Sequence, residues 1–491
     1  MLQLDIVASL VAFFIVLSLY IYRKQHDAPS YSHLPLPPGP KGLPLIGNLR
    51  DMPTSFEWQT YHKWSKEIGT DILYLNAAGT SIVVLDTAEA VFELLEKRSS
   101  IYSDRARMPM INELMGWSFN FGFMKYGTRR HRRLMHHNFH PSAAMRFRPH
   151  TLRAARNLVN HVLDNPDDFI GSLRHMAGET IMSVAYGLEV LPKNDPYIKT
   201  AEQGVHPLVA AAVPGAFLVD ILPILKYVPE WMPGAGFQKK AKEWKKLART
   251  MIDVPFAAAK KNIAAGVSPP CVTSLSIEKL EGGTKDDAYK EDIVQGVTGT
   301  ISFQTVAAVA SCILGLLEHP EILKKAQEEL DRVVKPGHLP DFDDEDSLPY
   351  ITAITKETLR WRMSFLSGYR LPAGSIVIPN AWAMLHNEDV YPDPFSFNPD
   401  RFMKDGKIDK SVRDPAHACW GFGRRICPGR YMAFGAVWIA IASLLTVFDI
   451  KKAVDEDGNV IELSHEYLSA LVYFPKPFKC SMKPRSPRLR D

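Results

Sequence analysis

Apolar positions along this chain follow two regimes. Residues 6–22 are 17 consecutive positions without a charge, rich in Val, Ile, Leu and Phe, and Arg23-Lys24 follow at once. Farther along, apolar residues recur at three- and four-residue spacing over 88–96, 145–163, 173–186, 239–261, 292–317 and 320–334, a pattern that predicts helices. Residues 72–86 read differently. They predict a strand pair turning at Ala77-Ala78-Gly79-Thr80, with Ile82-Val83-Val84-Leu85 as the β-rich second arm. Asp457-Gly458-Asn459 predicts a later hairpin turn. Residues 266–291, with Pro269-Pro270 and Gly282-Gly283, read as a surface loop. No internal repeat and no long linker divides the body. The expectation is one large, mainly α domain with a minor β part, over 51–491.

The first run sets the N-terminal organisation. Seventeen residues are at the short end of what spans a bilayer. A cleaved signal peptide fits less well, because Asp5 precedes the run with no positive charge and no clear small-residue cleavage site precedes Arg23. The basic pair then places the remaining chain on the cytoplasmic side of a retained single-pass anchor, residues 1–24. Behind it, Leu34-Pro35-Leu36-Pro37-Pro38-Gly39-Pro40 cannot be helix and reads as a stiff hinge within 25–50. Residues 206–232 are unusually apolar and broken by Pro214, Pro223 and Pro229. They are either a buried core segment or a membrane-facing entrance for a greasy substrate.

Composition narrows the class. With 491 residues, 46% of them hydrophobic, the chain can bury a large core, and a net charge of +4 is too mild to argue for nucleic acid. Five cysteines, at 271, 312, 419, 427 and 480, form no CxxC pair, which suits a reducing compartment.

One of the five stands apart. Cys427 lies in Trp420-Gly421-Phe422-Gly423-Arg424-Arg425-Ile426-Cys427-Pro428-Gly429, directly before a long apolar stretch. Gly423 and Gly429 are expected to allow close backbone approach and positive φ, and Pro428 to stiffen the turn. A helix starting after the loop would aim its positive end at the sulfur and favour the thiolate. A buried structural cysteine in a glycine-rich turn is the plainer alternative. Upstream, Glu357-Thr358-Leu359-Arg360 puts a carboxylate and a guanidinium on one helical face, and Phe397-Asn398-Pro399-Asp400-Arg401-Phe402 supplies a second arginine. Tyr126-Gly127-Thr128-Arg129-Arg130-His131-Arg132-Arg133 adds a basic run.

This order resembles the haem-thiolate architecture of the cytochrome P450 family, and it looks closest to fungal microsomal members. Tyr102-Ser103-Asp104-Arg105 and Ala381-Trp382-Ala383-Met384-Leu385-His386 add to the likeness, which runs over residues 34–479. The resemblance implies the P450 fold behind the anchor and haem b with Cys427 as axial ligand. It implies Trp420, Gly423 and Gly429 around that ligand, with Arg132 and Arg425 for the propionates. Glu357, Arg360 and Arg401 would form a buried triad beneath the haem. The implied reaction is monooxygenation of a lipophilic small molecule, with electrons from NADPH through a membrane-bound NADPH-cytochrome P450 reductase. A terpenoid or polyketide of secondary metabolism is the implied substrate class, and the endoplasmic reticulum membrane the implied location.

Three places depart from the family pattern. Thr128 stands where the family's WxxxR helix has tryptophan. The segment 363–374 is short for the loop and strand that would line the pocket. The family's acid–alcohol pair, which passes protons in oxygen activation, becomes Phe303-Gln304, with Thr300 and Thr305 as substitute alcohols. Gln304 and Thr305 are thus the catalytic candidates. These departures keep two other readings open. One is an O₂-independent haem-thiolate isomerase or dehydratase; the other is a non-catalytic haem-binding remnant from a truncated gene model.

Overall fold

A computed structural model of the chain describes residues 35–127, 129–213, 215–280, 287–301, 305–361, 374–464, 466–468 and 474–486. The anchor expected over 1–24 and the short segment over 363–373 lie outside the described residues, as do Thr128 and Gln304.

The fold is mostly helical with a small β part. Helix α1 (Glu57–Ile68) leads into β1 (Ile72–Ala77) and β2 (Thr80–Leu85), the hairpin anticipated from the alternation. Ala78 and Gly79 both take positive φ, 48° and 78°, the signature of the tight turn that matches strand twist. A third strand, β3 (Ile376–Pro379), pairs in parallel with β2, so residues nearly 300 positions apart share one sheet. The proline-rich segment packs on the hairpin: Tyr74 donates its N–H to the Pro38 carbonyl at 2.9 Å, and Asn48 Nδ2 donates to the Pro40 carbonyl at 3.1 Å.

After β2 the chain forms α2 (Ala88–Val91), capped by the Thr87 hydroxyl, which widens into a π-helical turn over Phe92–Lys97. The main helices follow: α3 (Arg129–Phe139), α4 (Arg148–Asp164), α5 (Phe169–Ile181), α6 (Pro196–Ala211) and α7 (Gly236–Ala264). Along the helix expected over 292–317 the structure describes α8 (Asp287–Thr300) and α9 (Thr305–Glu318), with residues 302–304 outside the described residues. Within α8 the Thr300 hydroxyl donates to the Gly296 carbonyl at 2.7 Å. Helices α10 (Pro320–Val333), α11 (Pro349–Trp361) and α12 (Arg430–Val447) complete the frame.

Helix α12 is apolar around its whole circumference and sits in the middle of the largest core cluster, against α4, α9, α10 and α11. Its length and hydropathy would suit a membrane, but its residues are buried inside the protein. The core therefore forms directly behind residue 429, so whatever precedes α12 is held against a rigid support.

The segment 206–232 divides. Leu208, Ala211, Ala212 and Val219 join a buried cluster with Met110, Met115 and Trp117. Leu218, Ile224, Tyr227, Trp231 and Met232 are exposed, Trp231 at 79%.

Candidate functional site

The loop ahead of α12 is built by close contacts and few side-chain bonds. Trp420, buried against Leu385, Met384 and Cys419, accepts the Cys427 N–H through its carbonyl at 2.8 Å. Gly423 takes φ 53°, and a Cβ there would lie 2.1 Å from the Leu95 carbonyl oxygen, so only glycine fits. Gly429 differs from expectation: its φ is −83°, and a Cβ would meet no atom within 4 Å among the described residues. Backbone strain does not require glycine at 429. A flat group lying against the backbone would.

Cys427 is half-buried, and burial pushes its thiol above the ordinary value. The Gly429 N–H and the guanidinium groups of Arg430 and Arg132 act in the opposite sense. The expected help from the helix terminus is therefore present, and burial acts against it. Arg430 also donates to the Cys427 carbonyl at 3.0 Å, fixing the turn between loop and helix.

Arg425 is buried and donates to three backbone carbonyls: Ser103 at 2.6 Å, Phe121 at 3.3 Å and Met124 at 2.9 Å. Tyr126 lies within 5.6 Å of both the Arg424 and Arg425 guanidinium groups, and its hydroxyl accepts from Arg424 at 2.7 Å. Asp104 holds the other end, accepting the N–H groups of Arg105 and Tyr126 at 2.9 Å each. The Tyr102-Ser103-Asp104-Arg105 phrase thus organises 103–126 around Arg425. Sequence reasoning had noticed that phrase without a role for it, and Tyr126 and Arg424 were missed.

Arg132 lines a cavity of about 420 Å³ beside the loop, together with Arg133, His136, Arg424, Pro428 and Arg430. Behind the loop the triad is assembled. Arg360 grips Glu357 with two hydrogen bonds of 2.7 Å, both side chains at 0% exposure, and Arg401 Nε reaches the same carboxylate at 3.3 Å. The Asn398 N–H donates to Glu357 at 2.9 Å, and Arg360 donates to the Leu385 carbonyl at 2.9 Å. Arg401 donates to the Pro392 and Asp393 carbonyls at 2.6 and 3.1 Å. Leu385 and Leu359 pack in the same cluster as Trp420 and Phe422, which couples triad and loop.

At the start of α9, Thr305 is 4% exposed and its hydroxyl has no partner among the described residues. Thr300, by contrast, is bonded to its own helix. An iron porphyrin with one thiolate ligand fits these residues: a single thiol on a rigid support, a glycine whose side-chain space is open, arginine beside the sulfur, and an orphaned buried hydroxyl.

A family model described as cytochrome P450 matches residues 37–482. Cytochrome P450 monooxygenase 98 of Postia placenta is 45% identical over 93% of this chain and 92% of its own length. Tryptamine 4-monooxygenase of Psilocybe cyanescens is 39% identical over 92% and 93%. Cytochrome P450 monooxygenase ple1 of Rhodocybe pseudopiperita is 40% identical over 92% and 90%.

Proposed function

Because the chain belongs to the cytochrome P450 family, we propose that it is a membrane-bound monooxygenase in which Cys427 ligates haem iron and a lipophilic small molecule is oxidised. The observation that carries this reading is the Cys427 loop seated between α12 and the buried Glu357–Arg360–Arg401 triad. A bound haem would supply the oxygen activation: one oxygen atom enters a C–H bond, the other leaves as water, and two electrons come from NADPH through a reductase.

The protein's own part is positioning and proton handling. Cys427 would hold the iron through its sulfur, Trp420 would shield that sulfur, and Gly423 and Gly429 would let the loop lie close to the group. Arg132 would pair with its carboxylates through a planar fork, and Arg425 would add charge and rigidity beside it. Thr305 would substitute for the family's alcohol, supported by its buried hydroxyl without a partner among the described residues, and the amide of Gln304 could orient a water by hydrogen bonding. Phe303 cannot carry a proton, so the relay depends on this pair.

The exposed patch of Leu218, Ile224, Tyr227, Trp231 and Met232 supports a membrane-facing entrance, in keeping with an anchor over 1–24 and a hinge over 25–50. The basic pair behind the anchor supports a cytoplasmic body, and the family supports attachment to the endoplasmic reticulum. A terpenoid or polyketide of secondary metabolism is the substrate class proposed. The tryptamine named for one relative extends the range to aromatic amines.

The deciding experiment is turnover with NADPH, a P450 reductase and labelled O₂, beside the spectrum of the reduced, carbon-monoxide-treated protein. Label in the product and the thiolate-type band support the proposal. Product without label would mark an isomerase or dehydratase, the reading that Phe303-Gln304 favours. Absence of the band would sink the ligand assignment.

A further inference from the structure

We infer that Glu96 is a positioning residue for the thiolate loop, serving as a remote cap for the turn at residues 423–425; the inference rests on the haem-thiolate reading above. The turn Gly423–Arg425 is a short 3₁₀ helix leading into Cys427, and Phe422, at its capping position, has no side-chain acceptor to offer. The first N–H groups of any helical turn lack partners within the turn. Glu96 fills that gap from 327 positions away, its Oε1 accepting the Gly423 N–H at 2.7 Å. A carboxylate accepting a backbone N–H makes a charge-assisted bond, stronger than a neutral one.

The contact belongs to a continuous grip. The Leu95 carbonyl oxygen and Ser99 Cβ sit 2.1 and 3.1 Å from where a Gly423 side chain would begin. Eight residues after Leu95, the Ser103 carbonyl accepts from Arg425 Nε at 2.6 Å, and the Ser103 hydroxyl donates back to the Ser99 carbonyl. Residues 95–103 therefore hold the loop at 423 and 425, on a flank that α12 and the triad leave to them. Two acidic side chains of the π-helical turn take different tasks. Glu93 pairs with Lys97 and Arg98, both at 2.9 Å, while Glu96 meets the loop. That division provides an internal control.

The test uses the full-length, haem-loaded protein and its Glu96→Ala, Glu96→Gln and Glu93→Ala variants. Two rates are read: decay of the thiolate-type carbon-monoxide band into the thiol-type band, and amide hydrogen exchange at Gly423. Glu96→Ala should accelerate both about fivefold, the factor that ~1 kcal/mol makes at 25 °C. Glu96→Gln, whose amide oxygen still accepts but without the charge, should fall between Glu96→Ala and the parent, and Glu93→Ala should match the parent. Equal rates in Glu96→Ala and the parent overturn the inference. So does Glu93→Ala decaying as fast as Glu96→Ala, which would mean general loosening of the turn. A parent protein without any thiolate-type band would instead bring down the haem-thiolate reading itself.

Discussion

Behind Cys427 the chain pairs its buried charges; around Thr305 it leaves buried polar atoms without partners among the described residues. Glu357 receives hydrogen bonds from Arg360, Arg401 and the Asn398 N–H, and both arginines spend further N–H groups on carbonyls. Buried charge is tolerated there because it is fully paired. At the start of α9, Thr305 keeps a buried hydroxyl without a partner among the described residues, and His131, packed under α8, keeps such an Nδ1. An orphaned buried polar atom costs on the order of 1–3 kcal/mol. On the proposed function, one half of the centre is charge-paired by the protein alone and the other half is completed by what binds there.

The largest expected effects test the finished half. Cys427→Ser should abolish the thiolate-type carbon-monoxide band completely while membrane association persists; a retained band would show that another residue is the ligand. Arg401→Ala leaves part of the Glu357 charge without its partner, a change worth about 3–5 kcal/mol for a broken buried pair. Little haem-loaded protein should be recovered, and thermal unfolding of what remains should shift down sharply. If Arg401→Ala keeps parental haem content, the two halves differ less than their hydrogen bonding suggests.

The same division marks what could be read from the residues beforehand. Local signals were legible: the Ala78-Gly79 turn, the Glu357–Arg360 face and the order of the loop motifs all depend on neighbours in sequence. Arg425 was singled out, but its bonding to the backbone was not, because its three carbonyl partners lie on 103–124 and nothing in the run around Cys427 points to them. Positive φ at Gly429 was expected and is absent, since that glycine serves space and not backbone conformation. The apolar periodicity over 292–317 was legible in the same way as the local signals, and α8 and α9 both lie on it.

A smaller effect tests the unfinished half. Thr305→Ala should uncouple NADPH consumption from product by about tenfold or more, within the range a positioned proton-transfer group contributes. Thr305→Ser, which keeps the hydroxyl, should recover most of the coupling. Neither should alter haem content, in contrast to Arg401→Ala. Gln304→Thr should raise coupling modestly if a second alcohol helps the relay. Unchanged coupling in Thr305→Ala, with a change in Gln304→Thr, would move the proton-handling role from 305 to 304.

The smallest effect is one of pH, and it separates the halves without touching either set of site residues. His131 is buried on α3 with its Nε2 edge close against Gly296 of α8, and burial lowers its pKa. For a base with a depressed folded value, the unfolded chain binds more protons between the two values. Stability is then complete above the usual histidine range, about 6.5, and is lost as pH falls through it. Amide exchange along 293–300 should therefore quicken between about pH 7.5 and pH 5.5, and His131→Gln should flatten that dependence. Amides at 423–427, held by Glu96, Trp420 and α12, should show no comparable change beyond intrinsic exchange chemistry. If acid loosens both stretches alike, the α3–α8 contact and the thiolate loop are one cooperative unit, and the contrast between a self-sufficient side and an incomplete side would have to be abandoned.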